Sequence, residues 1–192
     1  MPKKRRKWII VLAALAALSA IGVTLGFMFK KTNAVNTFIP AQVSCTVHEM
    51  LDDAEVTDSY ASGNKKSDIQ VQNTGNVPAY LRVRLVSYFV DAEGSISGAE
   101  PSVYPEITLN SGWLAGENHT YYYTKSVEPN GLTPVLCEPF TLSEKSTRNG
   151  EDVYTVYQVV EVSAEAIQAA PASAAEDNWA VTVTDGMITA VG

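Results

Sequence analysis

A strand–turn–strand pattern from Asp68 to Val90 constrains the fold more than any other part of the sequence. Ile69 and Val71 alternate with glutamines, as in a strand that buries one face. Residues 73–76, Asn-Thr-Gly-Asn, are types that favour turns because their side chains bond nearby backbone or tolerate positive φ. After Pro78, leucines and valines again alternate with polar residues, two of them arginines. The pattern predicts two strands of one antiparallel sheet joined by a short turn.

Further short β-prone segments, separated by turn signals, occupy much of the remaining sequence. Val43 to Val47 alternates apolar and polar residues, and Val153 to Val162 is apolar on both faces, as in a central strand. Val181–Thr184 and Met187–Thr189 flank the dipeptide Asp185-Gly186, which is a strong hairpin signal. Many short strands with frequent turns predict an all-β antiparallel sandwich.

One or two short helices are predicted near the C-terminal end, where alanines replace β-branched residues. Ala164 to Ala170 can form one or two helical turns that end before Pro171. Ser173 and Glu176 have the spacing of a capping box for another short helix.

Residues 1–26 have the parts of a secretory signal peptide. Lys3 to Lys7 are positively charged, and Trp8 to about Ser19 form an apolar region followed by small residues. The apolar run can also be extended to Phe29, close to the roughly 20 residues that a membrane helix requires. An uncleaved N-terminal anchor with the domain outside is therefore the alternative. Both interpretations confine membrane contact to this leader.

Residues 27–40 form a separate segment between the leader and the first predicted strand. Its apolar residues are spaced among polar ones without a helical stripe, and they include Phe27, Phe29, Val35 and Phe38. The pattern predicts an extended arm ahead of a single β-sandwich domain at 41–192. Such an arm either completes the sheet of its own chain or adds a strand to a neighbouring copy.

The basic residues are concentrated in the leader. It holds five of the fourteen lysines and arginines and none of the 21 acidic residues, which leaves nine basic residues and a formal charge of −12 for the rest. A domain this acidic is a poor partner for nucleic acid or for an anionic membrane surface. We therefore predict no nucleic-acid ligand.

Cys45 and Cys137 are the only cysteines in the sequence. In an exported protein they can form a disulfide that closes a loop of about ninety residues and stabilises the fold by roughly 4–5 kcal/mol in the chain-entropy model. Alternatively, both are buried thiols that serve as small apolar residues. The sequence leaves these two states open.

The sequence lacks the recurring motifs of enzymes. A zincin requires two histidines at i and i+4 on a helix with a glutamate beside the first. The string HEMLD that begins at His48 has one histidine, and the other in the chain, His119, lies in a turn rich in glycine and asparagine. There is no G-x-S-x-G nucleophile elbow either. We therefore predict no catalytic residue, no metal ligand and no cofactor.

Two patterns suggest ligand binding, and each has a simpler explanation. Trp113 and the run Tyr121 to Tyr123 could stack on sugars, but alternation along a strand places Tyr122 opposite its neighbours, which favours a role in the core. A calcium site is a weaker alternative, because no defined loop pattern surrounds the acidic residues Asp52, Asp53, Glu55 and Asp58.

Four segments spanning most of the chain carry a resemblance to a known family. They are the leader end with the arm (TLGFMFKKTNAVNTF), the opening pattern (KSDIQVQNTGNVPAYLRVRLV), a middle block (GWLAGENHTYYYTKSVEPNGLTP) and a late block (YQVVEVSAEAIQAAPASAAEDNWAV). In this order they resemble exported bacterial proteins related to the biofilm-fibre protein TasA and to camelysin. The resemblance implies a jelly-roll fold, export through an alternate (SipW-type) signal peptidase, and cleavage between Gly26 and Phe27. One departure is Ile39-Pro40-Ala41, where relatives usually have a glycine.

The resemblance also implies a function for the arm, since in fibre-forming relatives each subunit donates its N-terminal strand to the next. The leading hypothesis is an exported, non-enzymatic structural protein of the extracellular matrix or cell surface that self-associates through the arm. The alternative is a monomeric surface module that binds a glycan or a host protein, with the arm folded back on its own chain. A camelysin-like metallopeptidase is a remote alternative that rests on the family label alone.

Overall fold

Antiparallel β-sheets account for most of the residues that the computed structural model describes, which are 40–52, 54–55, 65–98 and 102–192. Predictions for the leader and for the arm up to Ile39 lie outside this part. Within it, no helix combines the length and apolar character needed to cross a membrane. The elements are β1 (Cys45–Leu51), β2 (Ala54–Glu55), β3 (Lys65–Asn73), β4 (Ala79–Val90), β5 (Trp113–Ala115), β6 (Thr120–Tyr123), β7 (Phe140–Thr141), β8 (Glu144–Asn149), β9 (Asp152–Gln168), α1 (Ser173–Trp179), β10 (Val181–Thr184) and β11 (Met187–Val191).

The first sheet has the strand order β2-β1-β3-β7. β7 is the end of a longer segment, residues 130–141, that runs antiparallel beside β3. Its irregular part is held by single contacts, such as the bond from the Leu136 amide to the Ile69 carbonyl (2.8 Å). Leu109 then bridges Cys137 on the far side of this segment. β3 is therefore an interior strand, with neighbours along both edges.

The second sheet has the order β5-β6-β4-β9-β8 and is centred on a long strand pair. β4 and β9 are in register from Ala79 opposite Gln168 to Val90 opposite Tyr157. Leu81, Val83 and Leu85 of β4 are fully buried, because this face of the pair packs on the first sheet.

The main core lies between the two sheets, and a smaller one lies on the outer face of the second sheet. Ile69 and Val71 of β3 meet the apolar face of β4 and Val160 of β9 in the main core. α1 and the β10–β11 hairpin form the smaller core by packing Trp179 and Ile188 against Tyr80 and Tyr122. The predicted all-β antiparallel sandwich with a short helix near the C-terminal end is confirmed, as is the hairpin around Asp185-Gly186.

The opening pattern contains two strands as predicted, but their placement in one sheet was wrong. β3 belongs to the first sheet and β4 to the second. The turn between them is anchored by buried Asn73, whose side-chain amide donates to the carbonyls of Val77 (2.9 Å) and Val127 (2.8 Å). The chain therefore crosses from one layer to the other, as connections in sandwiches often do.

The helical turns predicted for Ala164 to Ala170 were also wrong, because β9 continues through Gln168. Ala164 lies opposite Val83 and Ala166 lies opposite Leu81, so ladder pairing with β4 overrides the helical propensity of alanine. The predicted capping box does not form either. Ser173 is the first residue of α1, and its cap, Ala172, makes no side-chain cap hydrogen bond. Glu176 instead accepts a hydrogen bond from the Val183 amide (3.1 Å).

Candidate assembly site: the open edge of β9 and the arm base

β9 is paired along both edges only in its first part. β8 covers Asp152 to Tyr157, and the last bond on that side joins the Gln158 amide to the Ser143 carbonyl (2.8 Å). In an antiparallel strand, alternate residues direct their backbone N–H and C=O to the same edge. The backbone N–H and C=O groups of the even-numbered residues, like those of Gln158, therefore point away from β4. From Val162 to Gln168, no residue in the described part of the chain bonds to this edge. We call this stretch the open edge.

Small and mostly apolar side chains line the inner side of the open edge. Val160, just before it, is fully buried in the main core. Val162, Ala164 and Ala166 are half-buried and pack against that core. Two of these three positions are alanines, so the side chains on this face are small. The open edge thus combines backbone groups that have no partner among the described residues with small, half-buried apolar side chains.

The turn after β3 holds the point where the arm joins the domain, residues 40–44, which we call the arm base. The amides of Thr74 (3.0 Å) and Gly75 (3.2 Å) both donate to the Ser44 carbonyl. Asn76 makes three more contacts: its amide donates to the Gln42 carbonyl (3.0 Å), its Oδ1 accepts from the Gln42 amide (2.7 Å) and its Nδ2 donates to the Pro40 carbonyl (3.0 Å). The Asn-Thr-Gly-Asn motif therefore fixes where the arm leaves the fold.

Glycine is required at position 75 by a close backbone approach. A Cβ there would lie 2.4 Å from the Gln42 carbonyl oxygen and 3.1 Å from the Ser44 nitrogen. Both atoms belong to the backbone of the arm base, so a side chain cannot simply rotate away. The motif thus packs the arm base closely against the turn.

The arm base lies beside the C-terminal end of the open edge. A cavity of about 190 Å³ is lined by Ala41 of the arm base, by Pro78, by Gln168 at the end of β9, and by Ala170 just after it. A chain leaving Pro40 toward the N-terminus therefore starts next to the last residue of the open edge.

A buried ion pair lies at the opposite end. Lys66 of β3 is 5% exposed, and its Nζ donates to the Val160 carbonyl of β9, in the other sheet. The same Nζ lies 3.1 Å from Oε2 of Glu49 on β1. Burial raises the pKa of Glu49, Lys66 partly opposes this, and the charge of Glu161 adds to the rise. The Lys66 ammonium is thus shared between the Val160 carbonyl and the Glu49 carboxylate.

A β-bulge explains why a lysine faces the core at position 66. Opposite β1, the register shifts between His48 and Met50, and Asp68 has φ +55°. An unbroken pleat would place Lys66 on the opposite face from Ile69. The extra residue reverses that alternation, and bulges commonly redirect side chains in this way.

The two cysteines are free thiols in the structure. Cys45 begins β1, Cys137 lies on the segment on the other side of β3, and two strand spacings alone separate them by roughly 9–10 Å. A disulfide requires Cα atoms within about 7 Å, so the pairing considered from the sequence is not formed here. Burial, with Glu138 adding to it, raises the pKa of Cys137 to about 11, and burial followed by Glu165 raises that of Cys45.

The aromatic residues considered for sugar stacking are in the cores. Trp113 is 6% exposed, Tyr121 8% and Tyr122 5%. The Trp113 indole donates to the Pro134 carbonyl (3.3 Å), and its ring lies 5.4 Å from that of Tyr123. These side chains are packing residues and offer no flat exposed platform.

The histidines and acidic residues that the structure describes lie apart from one another. Among the described residues, no group of three histidines, cysteines or acids is placed to hold a metal ion. His48 Nε2 contacts Gln72 Oε1 (3.3 Å), and the His119 ring stacks on Tyr104 with centroids 3.4 Å apart. Two of the acids considered for calcium, Asp53 and Asp58, lie outside the described residues.

The sequence-predicted assembly residues, Phe27, Phe29, Val35 and Phe38, and the predicted cleavage site at Gly26 and Phe27, lie outside the described residues. Two features of the site were missed by sequence reasoning. The open edge was hidden because Ala164 to Ala170 was interpreted as helix. The buried Lys66 was missed because two adjacent lysines are typical of a solvated surface.

Comparisons with known proteins return no match: no family model matches the chain, and no curated protein or solved structure matches it.

Proposed function

We propose that this chain is an exported, non-enzymatic structural protein that assembles by strand addition, with the arm of one copy pairing along the open edge of the next. The observation that carries the proposal is a long strand, β9, whose edge from Val162 to Gln168 has no partner among the described residues. Unpaired edges are templates for pairing with another chain, and folded proteins usually cover or interrupt them.

The arm has the properties of a partner for this edge. Residues 27–39 are long enough to pair along it, and phenylalanines and a valine are spaced along them. Backbone hydrogen bonds would supply affinity, while the large apolar side chains would fill the space beside Ala164 and Ala166. Removal of the leader at Gly26 by the signal peptidase would release the arm and so trigger assembly at the cell surface or in the extracellular matrix.

The arm base favours exchange between copies. The Asn-Thr-Gly-Asn motif fixes the backbone of residues 40–44, to which the arm is joined. If the arm returned to its own open edge, it would start at Gln168 and run parallel to β9. Parallel pairing is slightly less stable per residue than antiparallel pairing, which an arm from a second copy can adopt.

The test compares three purified chains by negative-stain electron microscopy and light scattering. They are Phe27–Gly192, the same chain lacking residues 27–40, and Phe27–Gly192 carrying Ala164→Pro. The Ala164 amide points to the open edge, so proline removes an edge donor without removing a bond to β4. We expect fibres or large oligomers from the first chain only. Circular dichroism confirms that the other two are folded.

Assembly of the truncated chain would refute strand donation by the arm. Assembly of the proline variant would refute the open edge as the acceptor. If all three chains are monomeric, and the edge amides exchange slowly only when the arm is present, the arm pairs within its own chain and the proposal fails.

A second candidate function, ligand binding by a surface module, is favoured by one observation. At the end of the β4–β9 ladder where Val90 pairs with Tyr157, there is a cavity of about 820 Å³. It is lined by Tyr154 and Tyr157 together with Asp91, Glu93 and Arg148. Tyrosines with nearby acidic and basic groups suit a polar ligand such as a glycan. The test compares the native chain and Tyr157→Ala on an immobilised polysaccharide. Retention of the native chain alone would support this function, and equal retention of the two chains would contradict it.

A further inference from the structure

The open edge is closed at one end by a side chain from the opposite sheet. The Val160 carbonyl points to the same side as those of Val162 and Ala164, but it already accepts a hydrogen bond from Lys66 Nζ. Val160 is therefore the one residue on this side of β9, beyond Gln158, whose carbonyl has a partner among the described residues. That partner is a buried cation.

We propose that Lys66 is a specificity-determining residue for assembly: it stops the added strand short of Val160 and thereby sets its register. The inference rests on the proposed function, since it concerns the strand that pairs along the open edge. The added strand then spans Val162 to Gln168, bounded by Lys66 at one end and by the arm base at the other.

Displacing Lys66 would be costly, which is why it acts as a stop. A strand that paired with Val160 would have to take over the carbonyl and move the Lys66 ammonium away. Glu49, which is also buried and lies 3.1 Å from that ammonium, would lose its counter-ion. Breaking a buried ion pair by removing one partner is much worse than replacing both partners with apolar groups.

A stop is useful because a strand has no intrinsic register marker on an edge lined by small side chains. Shifting by one residue would turn every side chain of the arm to the other face, and shifting by two would keep the faces but move each side chain along the groove. A charged group at one end prevents the added strand from shifting toward Val160. The bulge at Asp68 is what brings that charge into the sandwich.

The experiment measures amide hydrogen exchange on Phe27–Gly192 in its unassembled and assembled states. After exchange, the assembled sample is quenched and dissolved so that its amides can be observed by NMR. The variants are Lys66→Met with Glu49→Leu, which removes both charges and keeps the volume apolar, and Lys65→Met as the control at the neighbouring exposed lysine. In the native chain and in the control, we expect the amides of Val162 and Ala164 to slow at least about tenfold on assembly. We expect the Val160 amide to exchange at the same rate before and after.

In the double variant, the Val160 amide should also slow on assembly, because the added strand can extend to it. Slowing of Val160 in the native chain would overturn the stop while leaving strand addition intact. An unchanged Val160 in the double variant, with Val162 and Ala164 slowed, would also overturn the stop alone. No slowing at any edge amide would overturn both the stop and strand addition. If the double variant does not fold, the native result at Val160 decides the question.

Discussion

Substituting Gly75 with alanine tests whether the turn after β3 controls the arm base. A Cβ at this position would approach the Gln42 carbonyl oxygen to 2.4 Å and the Asn73 Oδ1 atom to 3.1 Å. The first distance is shorter than real contacts allow, and the atom in question is backbone. The arm base must therefore move away from the turn. Gly75 does not have a positive φ, so the effect is one of space and not of backbone preference.

The size of the effect follows from the bonds that such a movement breaks. The Gly75 and Thr74 amides share the Ser44 carbonyl, and the Asn76 amide bonds to Gln42. Each such bond contributes about 1 kcal/mol net, so their partial loss should lower the free energy of unfolding by about 2 kcal/mol. The main core is untouched, because Gly75 lies at its margin. We therefore expect a folded but weakened domain whose arm no longer leaves from a fixed point.

The measurement is urea denaturation followed by tryptophan fluorescence, together with fibre formation at a fixed concentration. Gly98→Ala is the matched control, because Gly98 has no positive φ and nothing lies within 4 Å of its added Cβ. We expect the control to unfold and assemble like the native chain, and Gly75→Ala to lose about 2 kcal/mol and to assemble more slowly. A Gly75→Ala chain as stable as the control would refute the argument that the turn and the arm base are closely packed.

Three further predictions concern other buried or strained groups. Burial raises the pKa of Glu49 in the folded chain, so the folded state takes up a proton at a higher pH than the unfolded state does. The contribution of this group to stability should therefore rise as the pH falls toward its ordinary pKa of 4.5. Glu49→Gln should remove this contribution in urea titrations at several pH values, and an unchanged pH dependence would contradict it. Thiol titration with Ellman's reagent at pH 8 should find almost no reaction at buried Cys137 until the chain is denatured, when both cysteines should react. A count of zero thiols in the denatured chain would indicate a disulfide instead. His119 has φ +55° and its ring stacks on Tyr104, so His119→Ala should lose the stacking and keep the backbone strain. His119→Gly should be more stable than the alanine variant by about 1 kcal/mol, because glycine adopts positive φ without strain. Thermal denaturation of the two variants measures the difference, and equal melting temperatures would refute the strain.

The fold class was predictable because it depends on local patterns that the packing reinforces. Alternation from Ile69 to Val71 and the Asp185-Gly186 dipeptide each specify an element using neighbouring residues only, and both elements form. Sheet membership was not predictable in the same way. Whether the chain after Asn73 pairs with β3 or crosses to the second layer depends on hydrogen bonds from Asn73 to Val77 and Val127, and the second of these residues is distant in sequence.

The candidate site was less predictable, because each of its parts depends on contacts distant in sequence. Ala164 and Ala166 are good helix formers that become strand residues only because twelve consecutive residues of β4 pair with β9. Lys66 faces inward only because a bulge at Asp68 reverses the pleat. A local pattern contains neither fact. The sequence signals that did indicate the site were the arm itself and the glycine of the turn that holds its base.

The same structural logic explains why the edge of β9 is covered up to Val160 and open from Val162 to Gln168. β8 ends its pairing at Tyr157, and the first sheet contributes Lys66 at Val160, so the chain covers β9 up to that carbonyl and no further with its described residues. An unpaired edge of this length is a hazard for a folded domain, since it invites uncontrolled pairing. A fixed arm base at one end of the edge and a buried charge at the other turn that hazard into a defined acceptor, because they restrict both the approach of a strand and its register. On this argument, a chain that keeps the open edge but carries both Lys66→Met and Glu49→Leu should still assemble, into fibres of mixed register.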